Sequence, residues 1–275
     1  MNTRRRYLRF LPYLTLIVGA GLMVMPFVWM FSTSLKTKAA LLVYPPQWIP
    51  KPVMWENYIT AISRFPFYLY LWNNVKVASL IVLGTITTSS LAGFAFARMR
   101  FRGRDALFLI ILGMMMIPGQ VTMIPVFLLV RDLGMIDSHS SLIIPSFVSP
   151  LFIFIMRQYF LTLPRDLEDA AYVDGSMPLR TFSTIFLPLV TPAIAAISVL
   201  SFVDTWNSFI WPLILISDKK KLMMSVGLLN FTNQYSSDNH LMMAATMLSV
   251  LPIFILYLFT QKYFVEGIAI SGLKG

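Results

Sequence analysis

The sequence predicts an all-α, polytopic membrane protein with six transmembrane helices and both termini in the cytoplasm. Three observations carry that reading. Hydrophobic residues make up 57% of the 275 and charged residues only 12%, with a mean hydropathy of +0.72. A soluble domain carries about 25% charge, so this chain lacks the polar surface to stay in water, and it is too apolar for disorder. The apolar residues also gather into charge-free runs long enough to cross roughly 30 Å of hydrocarbon, about 20 helical residues. Those runs are continuously apolar instead of alternating with period two, which selects helices over a barrel.

Taken in order, Arg9 and Lys36 enclose the first run, 10–35. Lys76 and Arg98 enclose 77–97, which leaves a long loop at 36–76. Asp105 and Arg131 enclose 106–130, and Asp137 and Arg157 enclose 138–156. The fifth run, 181–216, is interrupted only by Asp204, and the sixth is 239–261. Together they form one membrane domain over 1–275. Prolines lie in most runs: Pro12, Pro26, Pro118, Pro125, Pro145, Pro150, Pro188, Pro192 and Pro252. In water each would cost a helix roughly 3 kcal/mol; in a bundle, neighbouring hydroxyls can satisfy the freed carbonyls, so kinked helices are expected.

Basic residues in the loops set the orientation. With the N-terminus inside, segments 1–9, 98–105, 157–180 and 262–275 are internal and hold thirteen of the 22 Lys and Arg. The net charge of +10 then reads as attraction to the inner leaflet (Arg4, Arg5, Arg6, Arg98, Arg100, Arg102, Arg104) and not as nucleic-acid binding. Thr3–Arg9 imitates a twin-arginine export signal, but the run behind it is too long for a signal peptide and no A-x-A-like cleavage site closes it. It reads as a retained first helix.

Enzyme chemistry is not expected. The chain has no cysteine, no G-x-x-x-x-G-K-[ST] phosphate loop and no H-E-x-x-H; its two histidines, His139 and His240, read as interfacial polar residues. The eighteen methionines read as adaptable packing. Gly84, Thr88 and Ala92, with Ser89, Gly93 and Ala97, form four-spaced small-residue rows on the second span that read as helix packing.

Two places carry more. On the fifth span, Ser198, Ser201, Thr205 and Ser208 share one helical face, with Asp204 beside it and Asn207 near the outer end. Exposing an acid to lipid costs roughly 2.5–3.5 kcal/mol, so Ser201, Asp204, Thr205, Asn207 and Ser208 are candidates for a translocation path, with helix packing as the competing reading. Counted from Pro188, Asp204 stands about 24 Å up a straight helix, beyond the midplane. The second place is the internal segment 161–180. Pro164 suits a first helical turn, and Asp166, Glu168 and Asp169 meet the positive end of the helix dipole. Gly175 supplies a left-handed stop and Pro178 starts the next helix. Leu167, Ala170 and Ala171 give a shallow apolar face, fit for insertion into another protein's cleft or for an ordinary connector.

Here the sequence resembles a known family. Asp169-Ala170-Ala171, three residues, Gly175, nine residues, then Ile185-Phe186-Leu187-Pro188 is similar to the EAA loop of ABC-importer permeases, E-A-A-x3-G-x9-I-x-L-P. Every spacing fits. The one departure is Asp169 for Glu, a shorter acid, with Glu168 adjacent. Further stretches resemble the shorter permease of the maltose-type carbohydrate-uptake branch: Pro46–Pro50, Trp55–Tyr58, Phe96–Arg98, Phe101–Gly103, Trp206–Pro212, Phe264–Gly267 and Gly272–Gly275.

The resemblance covers the whole chain. It implies the ABC type I importer permease fold and a place in a bacterial or archaeal inner membrane. Its implied partners are a second permease, two copies of a cytoplasmic ATPase that holds the ATP and magnesium, and an extracytoplasmic sugar-binding protein; no cofactor belongs to this chain. In the family this loop docks on the ATPase, which makes Glu168, Asp169, Ala170, Ala171, Asp174, Gly175, Ile185, Leu187 and Pro188 the implied coupling residues. An ion-coupled secondary transporter is an alternative, but Asp204 is the sole acid well inside a span and no inverted repeat is evident. A non-transporting membrane scaffold is the other.

Overall fold

A computed structural model describes the backbone of residues 3–232 and 238–272, and the side chains of 12–232 and 238–261. The side chains of Arg4–Arg9 and Phe264–Gly267, and all of Leu273–Gly275, lie outside the described residues. In chain order the helices are α1 Thr3–Ser34, α2 Glu56–Ser63, α3 Phe67–Arg98, α4 Arg104–Met114 and α5 Gly119–Asp132. Then come α6 Ser140–Ile143, α7 Pro150–Thr162, α8 Asp166–Val173, α9 Pro178–Thr181 and α10 Leu187–Leu189. The last four are α11 Thr191–Asn207, α12 Ile210–Leu215, α13 Met224–Gly227 and α14 Asn239–Gly272. No strand occurs among the described residues.

Four stretches are long and apolar enough to cross a membrane without a sharp bend: Pro12–Ser34, Phe67–Arg98, Ser140–Thr162 and Asn239–Gln261. Two further helix pairs bring the total to six when each pair is taken as one span. The expected runs at 106–130 and 181–216 are therefore broken, not merely kinked. α4 and α5 meet at 102°, and the Pro178–Leu189 stretch meets α11 at 77°. Pro118 stands at the first break in an extended conformation, without an amide to continue the helix, and Pro188 and Pro192 flank the second at Val190. The fifth run also stops at Asn207, before α12.

Two other boundaries move. The second span begins at Phe67, so the loop expected at 36–76 is ten residues shorter. Lys76 ended the charge-free run but not the helix, since one lysine on a long apolar stem is tolerated at a helix surface. The fourth span runs past Arg157 to Thr162. There the Arg157 guanidinium lies 4.1 Å from the Phe108 ring centre and donates to Phe96 O at 3.3 Å, which removes the need for it to leave the helix.

The chain forms two compact units, residues 1–68 with 227–251 and residues 69–226 with 252–275. In the first, α1 exposes apolar side chains between Pro12 and Phe31, including Leu16, Ile17, Leu22 and Met23, a surface suited to hydrocarbon and not to water. The loop after α1 is fastened to its end. Asn57 donates to Ser34 O and Lys36 O at 2.8 Å each, Trp48 packs edge-on to Trp29, and Asp238 accepts from Lys38 at 2.7 Å and pairs with Arg64 at 3.0 Å.

In the second unit α3 is the spine. Phe94 and Ala97 pack with Met156, Phe160, Phe182, Phe186 and Ile197, while Val77 and Ile81 pack with Val130, Leu142, Leu215 and Met223. The small-residue row does serve packing. A Cβ at Gly93 would stand 2.6 Å from Met156 Cβ and 2.9 Å from Arg157 N, so only glycine admits α7 this close. Where prolines interrupt the fourth span, Thr85 donates to Ser146 O at 3.1 Å and Thr88 donates to Phe147 O. Hydroxyls of α3 thus satisfy carbonyls that the break sets free.

Candidate functional site: a capped helix and an acid-bearing cavity

The segment after α7 folds as its chemistry dictates. Asp166, Glu168 and Asp169 occupy the first turn of the eight-residue α8. At its end Gly175 takes φ +72°, its N–H reaching Tyr172 O at 3.0 Å while Ser176 N–H reaches Ala171 O at 2.9 Å. This pair of bonds closes a helix on a left-handed residue, as the sequence predicts. Pro178 then opens α9, and a π turn at Phe182–Phe186 leads to α10.

The anticipated apolar face of α8 divides. Ala171 is buried and Leu167 packs on the chain's own core. What points outward is Asp169, Ala170 and Asp174, with Tyr172 82% and Val173 84% exposed. The exposed face is therefore not Leu167-Ala170-Ala171 but the one about a third of a turn away. Farther on, Ile185 and Leu187 are half-buried, Pro188 is exposed and Phe186, unremarked in the sequence, is fully buried.

The sequence marks Arg98 as a basic flank and as the end of the Phe96–Arg98 stretch, with no role of its own. In the structure its side chain is 4% exposed. It donates to Phe160 O and Leu163 O at the end of α7, lies over the Phe186 ring and faces Glu168 of α8 at 3.8 Å. Beside it opens a cavity of about 850 Å³, lined by Arg100, Arg165, Asp169 and Tyr172 among others. The available signal was the charged residue that closes an otherwise apolar span.

The second site is a cavity of about 250 Å³. Asp204 and Thr205 from α11, Ser208, Trp211 and Pro212 after it, and Ser141 and Ser146 from the fourth span line it. Of the five candidates, Asp204, Thr205 and Ser208 come together; Ser201 is buried elsewhere and Asn207 is exposed outside the cavity. Ser208 joins them for a different reason from the one expected. It lies past the end of α11 with ψ 127°, so the helical face ends before it. The height count for Asp204 changes too, because the straight helix starts only at Thr191, roughly 20 Å away at 1.5 Å per residue. Among the described residues Asp204 has no ion-pair partner.

One wall of this cavity is clasped from behind. Asp137, at φ 61°, accepts from Ser217 N–H at 2.9 Å and Asp218 N–H at 2.8 Å. Lys221 donates to Asp137 O at 2.8 Å, and His139 Nε2 meets Lys221 O at 2.9 Å. The two amides hold the Asp137 carboxyl below its ordinary range.

Residues 81–270 match the family described as binding-protein-dependent transport system inner membrane component. The chain belongs to that family. This permease is 35% identical to an arabinooligosaccharides transport system permease protein of Bacillus subtilis, over 82% of its own length and 81% of the relative's. It is 33% identical to a trehalose/maltose transport system permease protein of Thermococcus litoralis, over 94% and 96%. Its structure superposes, with a TM-score of 0.83 and 25% identity over 96% of this permease and 99% of the other chain, on a bacterial ABC transporter involved in the import of the acidic polysaccharide alginate. α8 and every lining residue of the Asp204 cavity except Val77 fall inside the residues matched by the family.

Proposed function

We propose that this permease is one membrane subunit of an ATP-driven sugar importer, forming the path with a second permease and driven by two copies of a separate ATPase that bind ATP and magnesium. A secreted sugar-binding protein delivers the substrate. The permeases of arabinooligosaccharide and trehalose/maltose systems named above support the sugar class. Thirteen of 22 basic residues support an orientation with both termini and α8 in the cytoplasm. The Asp204 cavity suits a ring with several hydroxyls: among the described residues its one titratable lining group is a carboxylate, with three serines, a threonine and the Trp211 ring around it.

The observation that carries this reading is α8, where the Asp169-Ala170-Ala171-x3-Gly175 spacing becomes a short helix, closed at Gly175, with Ala170, Tyr172 and Val173 outward. On this proposal ATP binding draws the ATPase halves together and moves α8 with them. Ala170→Cys tests it, since the chain has no native cysteine. A crosslink to the co-expressed ATPase that changes with nucleotide is expected. No crosslink, with uptake intact, overturns the docking.

A further inference from the structure

We infer that Arg98 is the positioning residue through which movement of α8 reaches α3 and the Asp204 cavity; the inference rests on the docking proposed above. One guanidinium joins its own helix to three other elements. It belongs to the last residue of α3. Its Nε donates to Phe160 O at 3.1 Å and its Nη2 to Leu163 O at 2.5 Å, both at the end of α7. Its Nη1 stands 3.8 Å from Glu168 Oε2 on α8, and its carbon lies 5.1 Å from the Phe186 ring centre in the π turn. Five donors in a rigid fork make this possible, and a lysine cannot copy it.

The contacts are unequal. The carbonyl bonds are short and fix Arg98 to α7, whereas the Glu168 contact is long and its carboxylate is 40% exposed. That pair is the joint, and a displacement of α8 acts on Arg98 there. From Arg98, α3 runs as an unbroken helix to Ile81 and Val77 in the cavity wall. Beyond them Asn73 donates to Lys220 O and Leu222 O, and Asn74 accepts from Met224 N–H at 3.2 Å. A continuous, hydrogen-bonded element therefore joins the coupling helix to the segment that walls the cavity.

The test uses the assembled complex of both permeases and the ATPase in nanodiscs, with ATP and vanadate as the probe and no sugar. Ala170→Cys reports docking by crosslinking; Ser208→Cys, in a separate preparation, reports the cavity by its maleimide reaction rate. In the parent, trapped nucleotide is expected to change the Ser208→Cys rate at least about fivefold, the lower end of ordinary coupling. With Arg98→Lys or Glu168→Gln the rate is expected to stay at its nucleotide-free value while the Ala170→Cys crosslink persists. A purely structural role would lower yield and melting temperature and leave the nucleotide ratio unchanged. If Arg98→Lys does not assemble, Glu168→Gln decides, because it leaves both carbonyl bonds in place. A full parental response in Glu168→Gln, or a parent that crosslinks without any response at Ser208→Cys, overturns the inference. A parent that responds at Ser208→Cys but never crosslinks overturns the docking, and Arg98 is then judged on the labelling ratio alone.

Discussion

The α8 segment and the Asp204 cavity handle charge in opposite ways. Around α8 charges are met locally: three acids sit at the helix N-terminus, and Glu168 faces the buried Arg98. In the cavity one carboxylate stands among serines, a threonine and apolar side chains, with no cation near it among the described residues. A matched charge holds elements in place. An unmatched one inside a membrane span is costly unless something else meets it, which is the condition expected of a site awaiting a ligand or a partner chain.

The sharpest break of this contrast is Gly93→Leu. It drives a side chain into Met156 and the α7 backbone, which carries the Phe160 and Leu163 carbonyls that Arg98 holds. Overpacking of this kind costs about 3 kcal/mol or more, so loss of assembled complex is expected, read by size-exclusion chromatography; a fully assembled variant would show that α3 and α7 do not frame the coupling site.

Asp204→Ala should separate the two regions. Hydrogen bonds to a charged group contribute roughly 1.5–3 kcal/mol, so a ~10- to 100-fold fall in uptake is expected with the melting temperature and the Ala170→Cys crosslink unchanged. Equal uptake would return Asp204 to helix packing. Gly175→Ala acts on the other region: a Cβ at φ +72° meets no neighbour but strains the backbone by about 1 kcal/mol. Weaker ATPase crosslinking with the nucleotide-free cavity labelling rate unaltered is expected, and an unchanged crosslink would remove the cap from the account.

The smallest effect concerns the clasp behind the cavity. A carboxyl whose pKa is depressed on folding stabilises the fold above its unfolded value and loses that contribution as pH falls through its folded value. Protection of the Ser217 and Asp218 amides from hydrogen exchange should therefore hold near neutrality and fall below about pH 4, the unfolded carboxyl range. In Asp137→Asn, protection that still falls at the same pH would assign the acid response to another group.

The short helix α8 was legible because its determinants are near neighbours in sequence. Pro164, the acids at 166–169, Gly175 and Pro178 each act within a turn of where they stand. Which side of α8 faces outward was not legible, since Leu167 and Ala171 look equally ready to meet a partner or the chain's own core. The cavity was legible only at Asp204. Ser141 and Ser146 join it from about sixty residues away, and Ser208 does so because α11 ends before it, not because a helical period continues.

By itself the sequence determined that the chain enters a membrane, that its apolar runs are helical and where its short capped helix lies, because hydrophobicity, caps and proline act over a few residues. Only the tertiary structure decided that two spans break by 77° and 102°, that Arg98 is a buried junction, and which side chains surround Asp204. These depend on which neighbour supplies a donor, a ring or a gap, and a side chain's own identity cannot specify what will stand opposite it.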